Sequence, residues 1–498
     1  MLNGLEKTLE RKLPASERLH RIGRILWALT LVTVPVTSFR FMPFMGTDSQ
    51  VRPLSFIPAL LLLFVLAIRC FQQRRFILWN NSFLPLLSFV LVALLSSAVG
   101  FFLATPNLYN FTYASRLLRA WATFGVGFVF LIVPMCMNHN EQDLKFTLNW
   151  LYVGLVGHVL WSVIQLFQIY VLPSIFKGHP LGNLVDLIQK TIMMAGVSPN
   201  RRISGLALEP SWLAAQVMTV YLPWAFASVL KGYHWDKRRW LAPASLAACG
   251  WLILFTYSRS GIFTAAVAML LTFLFVGRSW MRHAREWFLR PIHREDSILV
   301  QRILNLSVRI ALIVVVLGGL AGGSYILSRN QYFARVWQSD KTNLISYFVD
   351  IYAGPRLAYA TAGWTIFEHH PLTGVGLGAT GLYFYQALPD WSHFNISEIS
   401  KLLSPNNLVY PNTKDLYIRL LAETGIVGFW LFISFYLLLL GKVLALLRSR
   451  HKELAFVGTA SLLAWFAIVA LGFTQDSLAM LNIWMPLGIL IGMADSPD

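Results

Sequence analysis

Residues 82–104 read SFLPLLSFVLVALLSSAVGFFLA, an apolar run without a charged side chain. At about 1.5 Å per helical residue, such a run crosses the roughly 30 Å of bilayer hydrocarbon. Backbone groups in lipid have no water to bond, so a spanning segment is a helix or part of a closed barrel. The roughly ten-residue alternation of a barrel strand is missing here. Comparable runs lie outward in both directions, at about 22–39, 54–69, 119–137, 146–173, 208–230, 240–257, 261–277, 303–327, 423–446, 454–473 and 480–494. Composition agrees: of 498 residues, 56% are hydrophobic and 13% charged, about half the charged share of a soluble domain. Mean hydropathy is +0.58. The expectation is an all-α, polytopic integral membrane protein of about twelve transmembrane helices, with one large extracytoplasmic loop between the ninth and tenth. Three regions follow: an N-terminal bundle over 1–327, a loop domain with short amphipathic helices over 328–422, and C-terminal helices over 423–498.

Charge orients the spans. With the N-terminus inside, the cytoplasmic segments hold Lys7, Arg11, Arg18, Arg74, Arg75, Arg238, Arg239, Arg282, Arg285, Arg448 and Arg450. This is the positive-inside bias, and it places both termini in the cytoplasm. The formal net charge of +18 then reports topology and attraction to anionic lipid, and no nucleic acid partner is expected. The first 21 residues are polar and basic, and the run after them is long enough to remain as a span, so no cleavable signal peptide is expected. Cys70, Cys136 and Cys249 fall in or beside spans without metal-ligand spacing and read as inert small hydrophobes. The basic stretch 278–302 reads as an amphipathic surface anchor.

The outward side breaks the charge rule. Its segments carry Arg201, Arg202, Arg259, Arg356, Lys414 and Arg419, most of them close to a span end. Cations placed there need a compensating anion. It is either a protein carboxylate such as Glu209, Asp415 or Glu423, or a phosphate-bearing ligand suited to the guanidinium fork. Glu209 precedes Pro210, a first-turn proline, so it either favours the positive end of a helix or acts as a base or sugar-hydroxyl partner. Arg259 sits in a turn of a few residues between two spans, where it either snorkels to head groups or points into a cavity.

The longest polar interruption runs from Gly354 to Gly428. Over about 356–368, Leu357, Ala360, Trp364 and Phe367 recur at helical spacing, which predicts an external amphipathic helix. His369-His370-Pro371 follows, then the glycine-rich run 374–381. That run formally contains G-x-G-x-x-G but has no βαβ unit, so it is read as close-approach backbone able to offer N–H groups to a phosphate or glycan. The histidines lack partners at metal-ligand spacing, and no metal is expected. Residues 382–411 are rich in Tyr, Trp, Pro and Asn, including Asn406 and Asn407, and aromatic faces beside polar donors suit sugar rings as well as a membrane interface. In Lys414-Asp415-Leu-Tyr417-Ile-Arg419, the spacing lets Arg419 pair with Asp415 or with Glu423 four residues away, while Lys414 stands outside that ladder.

The order of these segments resembles the O-antigen ligase and Wzy-type polymerase family. The resemblance rests on R-I-S-G-L-A-L-E-P before a span, T-Y-S-R-S-G between two spans, then HPLTGVGLG and AETGIVG around one long external loop. It covers roughly residues 200–445. It implies an inverting, metal-independent integral-membrane glycosyltransferase of the GT-C type, without a cofactor, in a bacterial inner membrane. The implied donor is a glycan on undecaprenyl diphosphate, and the implied partners include chain-length regulators or other polysaccharide assembly proteins. The family's diphosphate-binding arginines map to Arg202, Arg259 and Arg356, with His370, Tyr417 and Arg419 as loop and glycan candidates. Ligases of that family carry a His-Asn or His-Ser pair where this chain has Lys414 and Asp415, a departure that favours a polymerase.

Displacing a diphosphate creates an oxocarbenium-like centre and a departing polyanion, which arginines stabilise. The acceptor hydroxyl needs a base, for which Glu209, Asp415 and a Lys414 of depressed pKa are the candidates. A transporter or flippase, or a scaffold for polysaccharide assembly, are the competing classes. A transport path would place charges in mid-membrane, and these spans contain few.

Overall fold

The computed structural model describes residues 15–42, 50–73, 81–103, 111–171, 180–194, 202–289, 299–402 and 410–495. Several residues singled out above, Lys7, Arg11, Arg74, Arg75, Arg201, Asn406 and Asn407, lie outside them. The described residues are helical throughout, apart from loops and one isolated bridge between Ser38 and Arg52. Among the described residues, eight helices are long and apolar enough to cross a membrane, including Tyr113–Met137, Pro210–Lys231, Arg259–Val276 and Leu416–Leu447. Shorter apolar helices lie at Phe56–Gln72, Leu241–Phe255 and Leu481–Ala494.

The last of these is the axis of the bundle. Every residue from Leu481 to Met493 is buried. Gly488 and Gly492 bring it against the carbonyls of Leu131 and Met135 on the Tyr113–Met137 helix. Small residues allow this approach where lipid supplies no hydrophobic drive between helices. Trp484 anchors the centre, edge-on to Phe124 at 5.9 Å and to Phe432 at 6.3 Å. The opposite extreme is the Leu306–Arg329 span, of whose apolar window nothing is buried within the chain.

The segment between the Leu306–Arg329 and Leu416–Leu447 helices folds into short helices, including Gln331–Gln338, Leu344–Asp350, Gly354–His369, Thr380–Ala387, Asp390–Asn395 and Ser397–Leu402. They enclose a small core of their own around Tyr359, stacked on Phe384 at 5.7 Å. The expected helix over 356–368 forms, but on a different face. Ala358, Tyr359, Ala362, Gly363 and Ile366 are buried, whereas Trp364 is 45% exposed and donates to Glu368 at 2.8 Å. The side chains that permit close backbone packing against Thr413 and Ile418 won over the larger ones. A second difference concerns the span expected at 423–446. Its helix begins at Leu416 and is broken at Gly425, whose φ of 65° and ψ of −173° are not helical.

Candidate active site

A cavity of about 1030 Å³ opens between these short helices and the ends of the apolar helices. Four of the candidates line it: Glu209, Arg356, Lys414 and Arg419. Arg202 and Arg259 stand beside it, joined to the site by a residue that the sequence reading did not single out. Tyr332 lies in the first turn of Gln331–Gln338, where Asn330 caps the helix by accepting from the N–H groups of Tyr332 and Phe333. The Arg202 and Arg259 guanidinium carbons stand 4.6 and 4.5 Å from the centroid of its ring. Burial would push the Tyr332 phenol up, yet Arg259, Arg202 and Arg356 together hold it below its usual value. Two arginines from separate elements thus pack on one ring, and the charge of a third, Arg356, acts on the same phenol.

Arg202 and Arg259 are held by main chain, and none of the three pairs with a carboxylate among the described residues. Arg202 Nε donates to the Thr256 carbonyl at 2.7 Å, and burial draws its guanidinium below the usual value. Arg259 donates to the Ile351 carbonyl and keeps Nη1 enclosed without an acceptor. Arg356 follows Pro355 in the first turn of Gly354–His369 and is exposed to the cavity. Backbone acceptors orient a guanidinium without neutralising it, which leaves the charge for a ligand.

The loop leading to Glu209 is fixed from below by polar side chains of the Glu141–Leu166 helix. Gln165 Oε1 accepts from Ser204 N at 3.0 Å and Gly205 N at 2.8 Å. His158 Nδ1 accepts from Leu206 N at 3.2 Å, and its Nε2 lies 2.7 Å from Gln216 Oε1. Since Nδ1 accepts, Nε2 carries the proton and donates, which fixes the neutral tautomer. Thr37 Oγ1 takes the N–H of Leu208 at 3.0 Å. Glu209 itself precedes Pro210 and makes no side-chain cap. It accepts from Ser211 Oγ at 3.2 Å and forms no ion pair among the described residues.

The remaining candidates divide. Lys414 has a left-handed φ of 55°, donates Nζ to Glu398 at 2.6 Å and stands 4.8 Å from the Tyr359 ring centroid. The cation outside the ladder is thus paired with Glu398. Asp415 does not join the expected ladder. It caps Leu416–Leu447, accepting from Tyr417 N at 2.8 Å and Ile418 N at 3.0 Å, and burial raises its carboxyl against those bonds. Arg419 pairs with Glu423 at 3.1 Å and donates to the Asp476 carbonyl at 2.7 Å. Tyr417 turns away, donating to the Val469 carbonyl at 2.7 Å and packing on Phe473. His370 terminates Gly354–His369, with its imidazole held low by burial and by His369. Asp415, Tyr417 and His370 are therefore not part of the cavity lining. The glycine run also differs from expectation: its N–H groups go to protein acceptors, with Val375 bonding Ala422 O at 2.9 Å, Gly376 bonding Glu423 O at 3.0 Å and Leu377 bonding Ser97 Oγ at 3.2 Å.

Other lining residues escaped the sequence reading. Arg116 and Arg119 come from the start of Tyr113–Met137, and Asp476 from the turn before the last helix. Asp476 Oδ2 accepts from Lys414 N at 3.1 Å. No group of three or more His, Cys, Asp or Glu gathers as a metal site among the described residues.

Residues 244–433 match the family model described as O-antigen ligase. In that segment the chain is similar to the O-antigen ligase family. No curated protein matches the chain. The O-antigen ligase segment contributes Arg259, Arg356, Lys414, Arg419 and Glu423, while Arg202 and Glu209 reach the same site from outside it.

Proposed function

We propose that the protein is a repeat-unit polymerase. In this reading it transfers a glycan from undecaprenyl diphosphate to a hydroxyl of an acceptor glycan, on the extracytoplasmic side of the inner membrane, with inversion and without a metal. The observation that carries it is the convergence of Arg202, Arg259 and Arg356 around Tyr332, beside a cavity that Glu209 lines. The arginines stabilise the charge that grows on the departing diphosphate, and they are already oriented before the reaction begins. Glu209 takes the proton of the attacking hydroxyl. It is favoured over Lys414, which is a donor to Glu398, and over Asp415, whose carboxylate caps a helix. The test is glycan lengthening by the purified chain in liposomes supplied with a lipid-linked repeat unit. Wild-type protein should lengthen the glycan, and Arg356→Ala should abolish this at unchanged expression. Wild-type protein that leaves its authentic substrate unextended would overturn the reading.

The family description favours a second reading, transfer to lipid A-core or another non-polymer acceptor. Supplying that acceptor beside the repeat unit separates the two, because a ligase moves label onto it and a polymerase does not.

A further inference from the structure

The cavity holds a second set of cations that the donor reading leaves unused. Arg116 and Arg119 lie one turn apart on Tyr113–Met137, and both line the cavity. The Arg116 guanidinium carbon stands 3.3 Å from the centroid of the Tyr410 ring and 5.2 Å from that of Phe111. Tyr410 is itself tied to the Gly378 carbonyl at 2.8 Å. Two Arg116 nitrogens, Nε and Nη1, are enclosed without an acceptor, and no carboxylate pairs with this side chain among the described residues. Arg119 and Arg419 add like charge nearby. An enclosed guanidinium without its anion is unfavourable, and like charges one turn apart oppose the helix. The fold supplies the orientation of Arg116 and withholds the counter-charge, as a phosphate-binding position does.

We propose that Arg116 and Arg119 form a second phosphate-binding subsite, which holds the lipid-linked phosphate of the acceptor while Arg202, Arg259 and Arg356 hold the donor diphosphate. The inference rests on the polymerase reading: a repeat unit extended at the membrane is tethered there, and a second tether of the same chemistry needs its own cations. The two groups come from different elements in and beside one cavity, which lets two head groups be held at once.

The experiment is native mass spectrometry of the full chain in phosphatidylcholine nanodiscs, titrated with undecaprenyl diphosphate. Wild-type protein should carry two copies. Arg116→Gln/Arg119→Gln should carry one, and so should Arg202→Gln/Arg259→Gln. Arg116→Lys/Arg119→Lys keeps the charge and loses the fork, and should retain both copies with the second bound about tenfold more weakly. One copy on wild-type protein overturns the proposal, as do two or none on Arg116→Gln/Arg119→Gln. A second position filled equally well by phosphatidylglycerol or inorganic pyrophosphate also overturns it, since the site would then take bulk head groups or free phosphate. Binding is read without glycan transfer, so two bound copies with no lengthening would count against the polymerase reading alone.

Discussion

The main chains of Gly374 and Glu423 lie in direct contact, so that a Cβ at 374 would collide with the Glu423 carbonyl group. The contact is reciprocal along the two segments. Gly425 lies against the Leu372 carbonyl, and Ile426 N donates to the Pro371 carbonyl at 2.9 Å. Both glycines have positive φ, 64° and 65°, which costs other residues about 1–2 kcal/mol before any clash. Gly374→Ala and Gly425→Ala should each destabilise the protein by at least about 2 kcal/mol, read as a lower melting temperature in detergent. Gly318→Ala, at a position with nothing within 4 Å, should leave it unchanged. Equal melting of all three would show that the interlock contributes nothing.

Two carboxylates compete for the role of base, and their bonding predicts different losses. Asp415→Ala removes a helix cap and should lower stability by about 1 kcal/mol while transfer continues. Glu209→Gln should preserve the fold and lower the transfer rate by about 10²–10⁴-fold. The reverse pattern would make Asp415 the base.

Lys414 and Glu398 form an ion pair whose side chains are about one-third exposed, so solvent screens it. A double-mutant cycle with Lys414→Ala and Glu398→Gln should return a coupling of about 0.2–1 kcal/mol. The two single variants should lose similar amounts of activity. A loss confined to Lys414→Ala would give the lysine a direct part in the reaction.

His158 and Gln165 hold the loop that carries Arg202 and Glu209, without lining the cavity themselves. Gln165→Leu leaves two buried N–H groups without an acceptor, at about 1–3 kcal/mol each. Displacing a reacting group by about 1 Å costs on the order of 10²-fold in rate. Transfer should therefore fall further than stability does, and Gln165→Glu, which keeps the acceptor, should recover part of it. A rate that merely tracks melting temperature would make the contact structural.

Tyr332 offers its ring to two guanidinium groups and its hydroxyl to Arg259. Tyr332→Phe keeps the stacking and should change the donor KM by less than about threefold. Tyr332→Ala loses two contacts of about 0.5–1 kcal/mol each and should raise it about tenfold. Identical KM values in both variants would detach the ring from donor binding.

Much of this site was legible, because arginines on the outward side contradict the charge rule that the other loops obey. Arg202, Arg259 and Arg356 were found that way. Arg116 and Arg119 carry the same signal, just before and at the start of the span expected over 119–137, and were not singled out from the sequence. The convergence on Tyr332 was not legible, since nothing in the spacing joins 202, 259 and 332. Asp476 reaches Lys414 from a turn more than sixty residues away, and only the packed bundle brings them together. His158 and Gln165 did leave a trace as polar side chains inside an apolar run, a position that asks for a partner. The exposed Trp364 shows where periodicity fails: it finds the large apolar residues, whereas close packing selects the small ones.

The break at Gly425 also settles a matter of length. Leu416–Leu447 has 32 residues and, unbroken, would measure about 48 Å, well beyond roughly 30 Å of hydrocarbon. The piece from 426 to 447 measures about 33 Å and fits that thickness with slight tilt. The stub from 416 to 424, with Arg419 and Glu423, is left over at the outer edge and free to take its own direction. A residue without a side chain thus acts as a ruler's end mark, separating the part of the helix sized for lipid from the part whose charges face the cavity.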